Sequence, residues 1–230
     1  MISPAVVLSL ALAALALNSS TVIWFLVVAL ASYFIGSIPS GYLAGRLAGV
    51  DIRTLGSGNI GATNVTRSLG KKYGYPVFIA DFGKGFLAVF LAVRISRQPG
   101  AVGPTEIYQI VAAVCCVLGN AFPVWLGFKG GKGVAVSAGL MVALMPVAGL
   151  LAILIWIALF YLTGYVSLAS IIATISLPVA VFVLLKLGQM TEWPFFYVSL
   201  ALTGLIIFRH RSNISQLLRG TEHRFRRNGE

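Results

Sequence analysis

The sequence predicts an all-α integral membrane protein with seven transmembrane helices, on three observations. Apolar residues make up 58% of the 230-residue chain and charged residues only 10%, with a mean hydropathy of +0.93. A composition of this kind cannot cover a water-soluble domain. The apolar residues also fall into continuous runs of membrane-crossing length. Finally, the cations gather in a few short loops, as the retention of Lys and Arg on one side of a bilayer requires. No linker, repeat or low-complexity stretch divides the chain. It reads as one membrane domain over residues 21–230, preceded by a hydrophobic extension at residues 1–20. That extension fits an extra span, a signal peptide without a basic n-region, or a surface segment.

Thr21 to Leu47 is the first span, kinked at Gly36-Ser37-Ile38-Pro39-Ser40 because proline withholds a backbone donor. A polar loop from Gly49 to Tyr73 follows. Tyr75 to Ile95 is the second span; Asp81 and Lys84, three apart near its start, share a helix face and can pair. Glu106 to Leu126 is the third. Val134 to Leu144 is the short one, about 16 Å of helix against about 30 Å of hydrocarbon, and Pro146 closes it. Val147–Leu162, Val166–Leu187 and Trp193–Phe208 complete the set. If Pro146 marks a reversal, fourteen of the seventeen Lys and Arg fall on one side, with Arg46 and Lys84 counted there. If residues 134–162 formed one long helix, the basic tail would lie opposite the other basic loops. The charge bias therefore selects seven segments, with the basic loops cytoplasmic.

The same bias accounts for the net charge of +11 without a nucleic-acid partner. Cys115 and Cys116 sit within an apolar run and read as packing residues. No metal-ligand spacing is present, and no cofactor is implied.

Three cytoplasmic stretches carry the chemistry. Gly127-Phe128-Lys129-Gly130-Gly131-Lys132-Gly133 sets four glycines and two lysines before an apolar helix. Its backbone N–H groups and the helix N-terminus suit an oxyanion. The Walker A spacing is absent and Gly133 stands where the Mg²⁺-binding hydroxyl would be, which argues against ATP hydrolysis. Taken alone, the loop reads equally well as a flexible cationic turn. Loop one, Gly56 to Arg67, is dense in small polar residues, among them Ser57, Asn59, Thr63 and Asn64. Arg67 supplies a fork for phosphate, whereas Asn64 and Thr66 equally suit the capping of the loop itself. The turn before Val166 adds Ser167, which alone reads as an N-cap, and Ser170.

In the tail, His210 and Asn213 share a helix face, and neighbouring positive charge favours neutral His210. Glu222, the only acid among six tail arginines, reads as a structural ion pair. The set is rich in phosphate ligands and poor in acid–base groups. It therefore suits an activated, anionic substrate and catalysis by positioning and charge stabilisation. A transporter of phosphate or an organic phosphate is the alternative, since broken helices near glycine loops occur in transporters. A scaffold for anionic lipids is a third reading.

These residues resemble a known family. Gly56-Ser57-Gly58-Asn59-Ile60-Gly61-Ala62-Thr63-Asn64-Val65, Phe128-Lys129-Gly130-Gly131-Lys132-Gly133-Val134-Ala135, and His210-Arg211-x-Asn213-Ile214 with Gly220-Thr221-Glu222 resemble the three cytoplasmic motifs of the bacterial acyl-phosphate:glycerol-3-phosphate acyltransferases, the PlsY family. The likeness runs from about Thr21 to Glu222. It implies a seven-helix inner-membrane enzyme with no metal, which transfers an acyl group from acyl phosphate to the 1-hydroxyl of sn-glycerol 3-phosphate. Its partners would be those two substrates, membrane lipids and an enzyme that produces acyl phosphate.

The resemblance further implies that Ser57, Arg67, His210 and Asn213 are catalytic, and that Gly130, Gly131, Lys132 and Gly133 form the glycerol-3-phosphate loop. Asn59, Thr63, Asn64, Lys129, Ser167 and Ser170 join the substrate ligands, and Glu222 is structural. A substrate phosphate would help move the proton. Gly119-Asn120 departs from the family's Gly-His, and no catalytic role is assigned there. The acyl chain is expected beside Ala135, Ser137, Ala138 and Gly139, where small residues allow a groove or close helix packing.

Overall fold

The computed structural model describes residues 19–225, so most of the hydrophobic extension at residues 1–20 lies outside the described residues. The described chain is helical throughout: α1 (Ser19–Ser37), α2 (Ser40–Leu47), α3 (Ala62–Leu69), α4 (Lys71–Ile95), α5 (Thr105–Ala121), α6 (Val134–Leu144), α7 (Pro146–Thr163), α8 (Val166–Lys186), α9 (Trp193–Arg209) and α10 (Arg211–Leu218). Single 3₁₀ turns at Ile52–Thr54 and Val124–Leu126 join them. Five runs are long and apolar enough to cross a membrane: Thr21–Leu47, Lys71–Ile95, Thr105–Leu126, Pro146–Thr163 and Val166–Lys186. The shorter apolar helices α6 and α9 complete the seven predicted segments. Many large apolar side chains stay exposed along these helices, among them Ile79, Leu154 and Val179. Such a surface is stable only against lipid.

Pro146 does reverse the chain. A Cβ on Gly149 would stand 2.8 Å from the backbone of Met141, eight positions earlier. Eight residues of straight helix would hold those backbones about 12 Å apart. Proline at the first position of α7 costs nothing there, because that N–H has no intrahelical partner.

The predicted kink in the first span is a full break at Ile38 and Pro39. The break takes the Ile38 carbonyl out of the helical ladder; it accepts from the Ser40 N–H at 3.0 Å and from the Lys84 ammonium of α4. Lys84 also pairs with Asp81 at 2.7 Å, as their spacing predicted. Both residues are buried, at 7% and 8% exposure. Lys84 is thus not one of the surface cations with which it was counted; it sits midway along α4, satisfied from inside. The polar loop after the first span is also more ordered than expected. It contains α3, and α4 starts at Lys71, ahead of the predicted Tyr75.

The small-residue face of α6 packs closely against α4 at Gly139. A Cβ on Gly139 would stand 1.9 Å from the Phe82 carbonyl oxygen of α4. Of the two uses expected for this face, Gly139 shows close packing, while Ala135 and Ala138 stay partly exposed. The α4–α6 contact instead fixes the height of the loop that precedes α6.

Candidate active site

Loop one is built around Asn64. Its side chain is buried and every polar atom is used: Oδ1 accepts from the Ser57 N–H at 2.9 Å, and Nδ2 donates to the carbonyls of Asn59 at 2.8 Å and Leu55 at 3.0 Å. Asn64 is therefore the hub of the loop and not a substrate ligand. The Asn59 Oδ1 accepts from the Gly61 N–H at 2.8 Å, an Asx turn. Ile52, Ile60, Val65 and Val77 form an apolar floor under the loop. On this base the Ser57 side chain is exposed, and its hydroxyl makes no hydrogen bond among the described residues.

The Gly/Lys loop differs in detail from the expected cradle. Gly130 and Gly131 spend their N–H groups on the carbonyls of Ala121 and Asn120, at 3.1 and 3.0 Å. Their importance is steric: a Cβ on Gly130 would meet the Asn120 oxygen at 2.2 Å. Phe128 and Lys129 also donate inward, to Pro123 and Leu126. The free donors lie just downstream. Among the described residues the N–H groups of Lys132 and Gly133 have no acceptor, and those of Val134, Ala135 and Val136 belong to the first turn of α6. Gly133, at φ 84°, caps that helix in a left-handed conformation that favours glycine. The element with donors left over to suit an anion is thus the N-terminus of α6, beside the Lys132 side chain. Lys129 is exposed at the rim.

The tail closes over this loop. Asn213 bridges two charges: its Oδ1 accepts from Lys132 Nζ, and its Nδ2 donates to both oxygens of buried Glu222, at 3.0 and 3.1 Å. Glu222 therefore binds an amide and, among the described residues, no cation lies within ion-pair distance of it. This replaces the expected ion pair by a carboxylate–amide–ammonium chain. Burial holds Lys132 below the usual lysine range, with the Glu222 charge opposing and Arg209 and Arg67 adding to the shift. Arg209 was not singled out in the sequence. Its Nη2 donates to the carbonyls of Gly130 and Gly131 at 2.8 and 2.9 Å, clamping the loop to the end of α9. Its only signal was a cation at a helix C-terminus; the partners, almost eighty residues away, could not be read.

His210 is 3% exposed. A carbonyl only accepts, so its Nδ1–H must donate to Ile206 O at 2.8 Å, which leaves the Nε2 lone pair free. Burial pushes its pKa down to about 4; the Ile206 hydrogen bond opposes this, and Lys132 and Arg209 assist it. The ring is neutral at pH 7, as expected, although desolvation and not neighbouring charge is the main cause. A histidine depressed in the fold contributes stability that is complete above about pH 6.5 and disappears as pH falls towards 4. Between those values the wild type should lose about 3 kcal/mol relative to His210→Gln. Thermal melts of both proteins across that window provide the measurement, and parallel curves would contradict it.

Ser167 is not the N-cap of α8; Tyr165 is, without a side-chain bond. The Ser167 hydroxyl is buried with no partner among the described residues, as is that of Ser137 in the first turn of α6. Ser170 is committed, donating to Val166 O at 2.7 Å and accepting from Trp156 Nε1 at 3.0 Å, so its hydroxyl is structural. Arg67 reaches the tail, donating from Nη2 to the His223 carbonyl at 3.0 Å. One end of the bundle therefore brings together Arg67, Lys132, His210, Asn213 and Glu222. No hydrogen bond ties Ser57, Asn59 or Thr63 to that chain among the described residues.

Comparison with known proteins shows the family of the chain. Residues 5–220 match the family described as glycerol-3-phosphate acyltransferase, so the match begins well ahead of Thr21. The glycerol-3-phosphate acyltransferase of Aquifex aeolicus (strain VF5) is 44% identical over 196 residues, covering 84% of this chain and 95% of that protein. The enzyme of the same description from Prochlorococcus marinus (strain MIT 9215) is 41% identical, covering 86% and 96%. Two crystal structures of PlsY, an integral membrane glycerol 3-phosphate acyltransferase, are also similar at 42% identity. Its glycerol 3-phosphate form has a TM-score of 0.77 and covers 88% of this chain and 96% of that one. Its lysophosphatidic acid form has a TM-score of 0.75, with 88% and 95% covered.

Proposed function

The chain belongs to the glycerol-3-phosphate acyltransferase family and is a multi-pass membrane acyltransferase; from that premise we propose that it transfers an acyl group from acyl phosphate to the 1-hydroxyl of sn-glycerol 3-phosphate. The observation that carries the reading is the convergence of a guanidinium, an ammonium, a helix N-terminus and a neutral imidazole at one end of the bundle. Arg67, Lys132 and the first-turn N–H groups of α6 hold the two phosphates, with Ser57, Asn59, Thr63, Lys129 and Ser167 as further ligands. His210 Nε2 accepts from the attacking hydroxyl and orients it. Asn213 and Glu222 set the position of Lys132.

The hydroxyl oxygen forms a bond to the acyl carbon as the bond from that carbon to the phosphate oxygen breaks. A ring with a pKa of about 4 is a poor resting place for the released proton at neutral pH. A phosphate, with its second pKa near 6, is a better one. The proton therefore ends on phosphate, and catalysis rests on proximity and charge stabilisation. The acyl chain reaches the site from the lipid side along an apolar groove lined by Ile38, Pro39, Tyr42, Leu43, Trp125 and Leu126. This groove adjoins loop one through Gly41, whose backbone touches that of Ile60.

The charge bias assigns the site and C-terminus to the cytoplasmic side of a bacterial inner membrane. The single domain runs from residue 21, with residues 1–20 as an extension. The decisive experiment offers purified protein acyl phosphate, acyl-CoA and acyl carrier protein thioester in parallel, with glycerol 3-phosphate as acceptor. Lysophosphatidic acid should form at a useful rate from acyl phosphate only. A thioester accepted equally well would refute the donor assignment.

A further inference from the structure

The stretch after α10 is not a trailing end. Between Glu222 and Phe225 it crosses the site and attaches to the opposite helix pair. Arg224 Nε donates to the Thr163 carbonyl at 3.0 Å, and the Phe225 N–H donates to that of Gly164 at 2.9 Å. The Phe225 ring packs edge-on against Phe160 of α7, with centroids 5.7 Å apart at 77°. These ties hold the strap independently of Arg67. The strap then presents two groups to Arg67, the His223 carbonyl at 3.0 Å from Nη2 and the face of the Phe225 ring 4.6 Å from the guanidinium carbon.

From this geometry we infer that Phe225 is a positioning residue for substrate phosphate, acting through Arg67. The inference rests on the reading of Arg67 as a phosphate ligand. Arg67 stands on the eight-residue helix α3, within a loop, and its side chain has several rotatable bonds. A phosphate that met a free guanidinium would have to order it on binding. A ring fixed by α7 and the α7–α8 turn supplies that order in advance, through a cation–π contact that leaves guanidinium N–H groups available. One carbonyl accepts from one of the five N–H donors, so the remaining donors can still engage an oxyanion in a fork. The apolar ring also excludes water from one side of the pair.

The test separates the ring's π face from its bulk. Phe225→Leu keeps an apolar side chain against Phe160 but removes the face; Phe225→Tyr keeps both. The expected result is a KM for glycerol 3-phosphate raised about five- to tenfold in Phe225→Leu. In that variant kcat should stay within about twofold of wild type. Phe225→Tyr should restore KM. Equal KM values for the Leu and Tyr variants overturn the inference, as does a fall in kcat with KM unchanged. Arg67→Ala runs alongside. Near-normal acyl transfer in Arg67→Ala would remove the phosphate-ligand reading itself. If Arg67→Ala is defective while Phe225→Leu behaves as wild type, only the role of Phe225 is refuted. Adding Phe225→Leu to Arg67→Ala should leave KM where Arg67→Ala set it, because the ring has no second route to the substrate.

Discussion

Arg67→Ala should lower kcat/KM for acyl transfer by about 10²–10³-fold while the protein remains folded in detergent. The magnitude is that of removing one preorganised charge donor from a water-poor site. Arg67 is half-buried, and burial depresses its pKa, yet guanidinium keeps its charge under any working condition. On the proposed reading, its fork is a permanent positive group that meets a developing phosphate charge. Arg67→Lys should recover only part of the loss, because an ammonium offers a point charge in place of two parallel donors. The fold should tolerate either change, since the ties lost are one carbonyl bond and one ring contact at the protein's edge. Rates near wild type in a monodisperse Arg67→Ala preparation would sink the assignment.

Lys84→Met should have the largest effect on stability, about 3–5 kcal/mol. Breaking a buried pair from one side leaves an uncompensated charge. Asp81 would keep a carboxylate inside the bundle, beside a polar cavity lined by Ser37, Ile38, Asn120 and Pro123, with its ammonium partner gone. The Ile38 carbonyl would lose its charged donor as well and keep only the Ser40 N–H at 3.0 Å. The double variant Asp81→Asn/Lys84→Met should recover most of the loss, because it removes both charges together. It should stay about 1 kcal/mol below wild type, the cost of the lost charged donor to the Ile38 carbonyl, which then keeps only the Ser40 N–H. Thermal unfolding of the wild type, both single variants and the double gives the full cycle. A double-variant loss equal to the sum of the two single losses would show that the pair is not coupled.

Much of this was legible from one sequence because membrane physics acts on local features. The Asp81–Lys84 pair could be foreseen because three residues of helix bring two side chains onto one face. The reversal at Pro146 followed from charge counting, and the backbone contact between Gly149 and Met141 agrees with it. Ser57 and Asn64 show the limit. Both are small polar residues in one glycine-rich loop, and composition ranked them alike. In the fold, Asn64 is consumed by three loop carbonyls and one N–H, whereas the Ser57 hydroxyl is left exposed. Ser167 and Ser170 diverge in the same way, one hydroxyl unpartnered and the other bound to Val166 and Trp156.

Sequence alone determined that the chain spans a bilayer, roughly where each span begins and ends, and which loops gather positive charge. Each of these depends on hydrophobicity or charge summed over neighbouring residues, and such sums need no knowledge of distant contacts. The tertiary structure decided which polar atoms remain free. Arg209 clamps the Gly130 and Gly131 carbonyls, Asn213 joins Lys132 to Glu222, and the tail reaches Arg67. A hydrogen bond saturates its donor at one partner, and these partners lie nine to 156 positions away in the chain. Whether a group serves the fold or the substrate is settled by those pairings, which local pattern does not encode.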